Sequence, residues 1–431
     1  MKNTSRLALL ISVVLALAAT ACSGAPTASP PTVVPTLPNI TLRFLITDDP
    51  VGQKAFQAVI DAFAKVRPDI RVNLENIPDD AEFSKRLASD FAAKTPPDVF
   101  VFDYPGFGEI ASKGALQAVD DNLAKSTVIH RSDFYPAALD AFSLKGKQYC
   151  IPMNLSSLEV YYNKKLFAAA NLSLPKAGWN WSGFLSDARA LTHGNQYGVG
   201  VDPQTIRLVP FIWAHGGEFV DDPIRPTKLT LDSPAALEAF QWFVDLQVKE
   251  HVAPSRAAQA TESLQARFEH GALGMFLMSR AATPELRDTI KDFDWDVAPL
   301  PSDKSTATIL HSDGYCITND SKNKDAAWAF VEFANGVDGQ KTIAATGRTV
   351  PSLKSVAESP LFLSTTLAPA NSKVYLDMAP NIRRVPTMTT WGEVEDFVNN
   401  EIERAFYGDA SVTEAAQSAV KGTSEFFQQN L

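Results

Sequence analysis

A chain of 431 residues, 45% hydrophobic and 20% charged, is long enough for two lobes or domains and has ample material for a soluble core. Its net charge of −10, with no basic block anywhere, argues against nucleic acid as a partner, because phosphate binding needs clustered Lys and Arg. The acidic balance by itself indicates solubility rather than recognition of a cation.

The N-terminus carries Lys2 and Arg6 ahead of an apolar run from Leu7 to Ala19. A run of about a dozen residues is too short for a bilayer span, which needs ~20, and it fits the apolar core of a secretory signal. Ala19-Thr20-Ala21-Cys22 resembles a lipoprotein processing site, with Ala19 where Leu is usual. On that reading Cys22 is lipidated and becomes the new N-terminus; the alternative is ordinary signal cleavage with a free Cys22. Residues 23–39, rich in Pro, Thr, Ser and Ala, predict an extended, semi-rigid tether. The remainder is expected to work outside the cytoplasm. Two further cysteines, Cys150 and Cys316, are too few for a disulfide framework and are either buried thiols or one bridge.

From residue 41 the pattern alternates. TLRFLIT (41–47) is a β-rich run, and GQKAFQAVIDAFAKV (52–66) places Phe56, Val59, Ile60 and Phe63 on one helical face before Pro68. IRVNLEN (70–76) predicts a second strand, DAEFSKRLASDFAAK (80–94) a second helix on Phe83, Leu87 and Phe91, and DVFVFD (98–103) a third strand. This βαβαβ order predicts an α/β lobe with a mainly parallel sheet and helices on both faces. Ligands gather at the carboxyl ends of such strands, where this chain carries Asp48 and Asp49 after the first and Asp103 and Tyr104 after the third. Each could equally be a turn residue.

Near residue 150 the rhythm changes, which suggests a crossing into a second lobe. Ser233-Pro234 predicts the start of a helix over AALEAFQWFVDLQVKE, and Asn335-Gly336 the end of one over DAAWAFVEFANG. Thr390 and Glu393 have capping-box spacing ahead of a helix closed by Gly408. No repeat is visible.

Signatures of catalysis are missing. The sequence contains no HExxH, GxSxG, CxxC, Walker-type loop or GxGxxG after a strand. Its six histidines are isolated from metal-ligand spacing. No enzyme chemistry, cofactor or metal is therefore expected. Aromatic residues at turns and loop ends are plentiful instead, among them Tyr104, Trp179, Trp181, Trp213 and Trp391. Aromatic faces stack on sugar rings while Asp, Asn and Arg meet hydroxyls. Trp391, placed at the first position of its helix, need not lie on that helix's core stripe.

Several segments together resemble the bacterial extracellular solute-binding proteins of ABC importers, family 1, which includes the maltose-binding proteins. They are TLRFLITDD with AVIDAFAKVRPDIRVNLENI, KTPPDVFVFDYPGFGEIASKGALQAVDD and GKQYCIPMNLSSLEVYYNKKLFAAANL, followed in family order by WNWSGFLSDARAL, FIWAHGGEFVDD, RFEHGALGMFLMS, FDWDVAPLP and NKDAAWAFVEFANGVDGQ…GRTVPSL. The resemblance implies a two-lobe periplasmic-binding-protein fold with a hinge and an interlobe cleft, the first lobe being residues 40–152 plus 312–352 and the second 153–311 plus 353–431. It implies a monomeric, membrane-anchored receptor that captures a sugar or polyol and passes it to permease subunits of an ABC transporter. The ligand-contacting positions it implies are Asp48, Asp49, Asp103, Tyr104, Ser156, Trp213 and Trp391. After the strand LGMFLM the family often has a Trp; this chain has Ser279-Arg280, and Arg280 would favour an acidic or phosphorylated ligand. The resemblance also puts Cys150 and Cys316 near the hinge, where two reduced core thiols are expected. Alternatives are a protein of the same fold for a phosphorylated polyol or other small solute, and a surface glycosidase with two carboxylates at defined separation.

Overall fold

The structure is a computed structural model and describes residues 40–429. The apolar leader, Cys22 and the tether lie outside the described residues. Among those described, no helix is long and apolar enough to cross a membrane.

The first strand (Ile40–Ile46) pairs in parallel with Ile70–Asn76 on one side and Val99–Asp103 on the other. Alternation along it sends Leu42, Phe44 and Ile46 to one face and Leu45 to the opposite one. On the first face the helix Pro50–Val66 buries the expected stripe of Phe56, Val59, Ile60 and Phe63. There Phe44 meets Phe56 at 5.8 Å and Phe330, from the helix Lys324–Asn335, at 5.1 Å. The other face is covered by Asp80–Ala92, through Phe83 and Leu87, and by Tyr104–Ser112, through Phe107. Two later strands complete this sheet. Asp313–Ile317 runs antiparallel to Val99–Asp103, and Cys150–Pro152 antiparallel to Asp313–Ile317.

A second sheet holds Glu159–Asn163 between Trp295–Ala298 and Leu273–Met278, antiparallel to both, with Tyr197–Gly200 parallel at its edge. Helices Pro234–Val248 and Trp391–Phe406 belong to the apolar cluster that covers it. The lobes are connected by strands that run side by side: His311 pairs with Ser156 and Leu310 with Ser157, and Asn154 bridges to Pro351. One side chain joins these crossings. Asn154 Nδ2 donates to Asp313 Oδ2 at 2.8 Å, and Asn154 Oδ1 accepts the Asp313 N–H at 3.0 Å.

Two expectations differ. Cys150 and Cys316 form a disulfide, not two free thiols: their strands are adjacent and in register, which brings the Cα atoms to 4.4 Å. That lies well inside the ~7 Å limit for bridging. Thr390 does precede the helix Trp391–Phe406, but its side chain makes no capping bond and its hydroxyl donates to the Phe426 carbonyl at 2.8 Å. The described chain does carry a capping box further on, at Ser411 and Glu414.

Candidate functional site

At the carboxyl end of the parallel strands two adjoining cavities open, of about 360 Å³ on the first-lobe side and about 240 Å³ beneath the crossing strands. Asp103, Asp313 and Arg348 line both. The position follows from topology, since loops after parallel strands converge at this edge of the sheet.

Asp48 reaches the larger cavity because its loop is bracketed and its carboxylate is given room. Asn76 Oδ1 accepts the Asp48 N–H at 3.0 Å, and Asn76 Nδ2 donates to the Asp48 carbonyl at 2.9 Å. The Asp48 carboxylate lies over the first helical turn at Gly52, where a Cβ would come within 2.1 Å of it. Arg348 Nη2 meets Asp48 Oδ1 at 2.7 Å. Burial pushes this carboxyl up to about 7, and Arg348 only partly opposes the shift. Asp49 has a different task. Its Oδ1 accepts the Val51 and Gly52 N–H groups, each at 2.7 Å, so it caps the helix that Pro50 begins.

Asp103 stands at the equivalent place before Tyr104–Ser112 but makes no side-chain capping bond, and it is exposed toward the cleft. The surrounding protein first, then Asp313, Glu395 and Asp80, push its carboxyl upward. Tyr104 contributes its flank to the smaller cavity, while its hydroxyl is buried and accepts the Val385 N–H at 3.4 Å. Ser156, in the first crossing segment, lines the same cavity and accepts the Arg280 N–H at 3.1 Å.

Asp48, Asp103, Tyr104 and Ser156 thus converge, whereas Asp49, Trp213, Arg280 and Trp391 line neither cavity. Trp391 is 1% exposed and donates from Nε1 to Glu395 Oε2 at 3.0 Å. Its first-position placement did not keep it out of the core, because the start of its helix is itself covered, with Phe219 edge-on at 6.2 Å. Trp213 is buried in the helix Thr205–Ala214 beneath the Arg383 guanidinium, 4.5 Å from the ring. Arg280 is 2% exposed: Nε donates to the Gly347 carbonyl at 3.0 Å and Nη1 to Ser372 Oγ at 2.9 Å, and the guanidinium lies over Phe362 at 4.6 Å. That cation is engaged by buried protein partners and lines neither cavity.

Other cleft residues were missed. Asp80, the first residue after the second strand's loop, lines the larger cavity and accepts the Thr47 hydroxyl at 2.9 Å. The carboxyl-end rule applied to that strand, as it was to the first and third, points directly to it. Asn154, Asp313, His311, Arg348 and Thr349 come from crossing segments that assemble only across long sequence separations. Burial, aided by nearby Arg207, holds His311 down to about 3, hence neutral, and its Nε2 has no hydrogen-bond partner among the described residues. Thr349 is 1% exposed and its Oγ1 also has no hydrogen-bond partner among the described residues. Among the described residues no cluster of His, Cys, Asp and Glu has the arrangement of a metal site.

The family model described as bacterial extracellular solute-binding protein matches residues 48–341. Relatives include a binding protein of Brucella abortus, 24% identical over 376 residues that cover 84% of this chain and 88% of that one. Another is the maltotriose-binding protein of Pyrococcus abyssi, 24% identical over 320 residues, 71% of this chain and 65% of that one. Among solved structures, an ABC substrate-binding protein of Listeria monocytogenes in complex with cycloalternan superposes with a TM-score of 0.84 at 24% identity, covering 90% of this chain and 99% of that one. The two-lobe periplasmic-binding fold is the same.

Proposed function

Because this chain belongs to the bacterial extracellular solute-binding protein family, we propose that it captures a carbohydrate or related polyol between its lobes and delivers it to the permease of an ABC importer. The observation that carries this reading is the composition of the cleft. Carboxylates, amide and hydroxyls from the first lobe (Asp48, Asp80, Asp103), the crossings (Asn154, Ser156, Asp313) and the second lobe (Ser279) line the two adjoining cavities. Such groups hydrogen-bond to hydroxyls from several directions, which is what a polyhydroxylated solute offers. The lobes correspond to residues 40–152 plus 312–352 and 153–311 plus 353–431 in this proposal, and the three crossings act as its hinge.

Closure follows from differential affinity. A solute held by both lobes stabilises the closed state, and moving the lobes from mostly open to mostly closed requires it to bind that state more tightly by about 5.5 kcal/mol. Cys22, through a lipid, and the tether would keep the receptor beside its transporter.

Burial of Arg280 removes the argument for a phosphorylated ligand. The Arg348 guanidinium, the single Lys or Arg lining either cavity among the described residues, is already paired with Asp48. A thermal-shift screen over sugars, polyols and phosphorylated polyols, followed by calorimetry, tests the proposal. A saccharide or polyol without a phosphate, bound at one equivalent without turnover, is expected. Preferential binding of a phosphorylated polyol, or cleavage of an oligosaccharide by the purified protein, would overturn it.

A further inference from the structure

The charge within the cleft is lopsided. Four carboxylates, Asp48, Asp80, Asp103 and Asp313, line the two cavities against one guanidinium, Arg348. Arg348 is engaged by Asp48 at 2.7 Å. His311, held neutral, adds no positive charge. A neutral saccharide would bring no charge to offset the remaining acids; burial and crowding already push Asp103 and Asp313 toward the protonated form, and a cation joining them would relieve that repulsion.

An aromatic residue, Phe102, precedes Asp103 in its strand and lines the larger cavity together with Asp80. Phe102 packs against Phe83 with centroids 6.1 Å apart and is held from behind by Gly106, where a Cβ would fall 2.6 Å from the ring. Both phenylalanines line the larger cavity. Carboxylates beside a fixed aromatic ring form an environment suited to an ammonium group, which gains from charge and from the ring quadrupole together. The adjoining cavity holds unsatisfied capacity of another kind: Thr349 Oγ1, on a residue 1% exposed, and His311 Nε2 lack partners among the described residues, so that side calls for hydroxyls.

We infer that the solute is a cationic carbohydrate or polyol, with its ammonium group in the larger cavity between Asp80, Asp103 and Phe102 and its hydroxyls in the smaller one. This rests on the capture function proposed above and narrows its ligand class.

The test is calorimetry and thermal shift with matched probes at neutral pH: glucosamine against glucose, the free-amine chitosan disaccharide against cellobiose and di-N-acetylchitobiose, and putrescine as an amine without a sugar. At least one amino sugar should bind about tenfold or more tightly than its neutral partners. Its affinity should fall as salt is raised. Asp80→Asn, at an exposed position where folding is not at risk, should weaken the amine at least about fivefold more than it weakens any neutral partner. If neutral sugars bind as tightly as their amines, or Asp80→Asn weakens both alike, the cationic assignment is overturned while carbohydrate capture stands. Putrescine binding without any saccharide binding overturns carbohydrate capture and leaves the ammonium subsite. Binding by none of the probes overturns both.

Discussion

The Cys150–Cys316 disulfide links residues 166 positions apart, so it closes a very long loop in the unfolded chain. The chain-entropy relation gives a loss of about 17 cal/mol/K for a loop of that length, or roughly 5 kcal/mol of stability at 25 °C. Native packing adds little to that figure, because both cysteines are fully buried on strands already hydrogen-bonded in register. Equilibrium urea unfolding of the oxidised protein, compared with protein reduced while unfolded and refolded under reductant, should show the midpoint falling by on the order of 1 M, with a steeper denaturant dependence as the unfolded state expands. Intact mass before and after reduction must differ by two hydrogens, and alkylation after unfolding must modify both sulfurs of the reduced sample alone. Coincident midpoints for samples whose alkylation confirms the two redox states would refute the reasoning.

Other outcomes follow from particular side chains. Arg280→Met leaves the Gly347 carbonyl and Ser372 without their donor and removes the cation from Phe362, which should cost about 2–4 kcal/mol in chemical unfolding. Ligand affinity of the folded variant should stay within about twofold, and a large affinity loss at unchanged stability would mean the guanidinium meets the ligand. Asp48 keeps its proton to about pH 7 when folded, against 3.8 as its ordinary value, so the folded state binds more protons between them and this group's contribution to stability falls as pH rises through that window. The thermal midpoint of Asp48→Asn relative to wild type should therefore climb from about pH 4 to about pH 7 and then level off; a flat difference would contradict the assignment. Cys22→Ser should move the protein from the membrane fraction to the soluble extracytoplasmic fraction, and continued membrane association would rule out the lipid anchor.

Local pattern and long-range assembly were not equally legible. The strand Ile70–Asn76 and the stripe on Pro50–Val66 were readable because period-two and period-3.6 burial is written into consecutive residues. Asp103 was readable from the same elements, by the carboxyl-end rule. The helix cap at Asp49 was a matter of one residue: Pro50 fixes where the helix begins, and the acid before it turns to the backbone. Trp391 and Arg280 were misplaced for another reason. Residue type suggested what each could contact, whereas burial by partners far along the chain determined what each does contact. The antiparallel strand Asp313–Ile317, which delivers both Asp313 and the second half of the disulfide, has its pairing partners 150 or more residues away. No local pattern records that.

The helix Tyr104–Ser112 comes so close to the segment preceding Trp391 that a Cβ on Gly108 would lie 2.6 Å from the Met388 carbonyl oxygen, with Tyr104 accepting the Val385 N–H nearby. On that edge two backbones touch where a side chain would otherwise stand between them. Such a contact leaves no room for a side chain, so a hinge motion of the kind proposed above must either keep Gly108 against Met388 or part the two segments there. A single methyl group at position 108 would have to push the two segments apart, so a residue with no side chain and no place in either cavity sets how closely they pack.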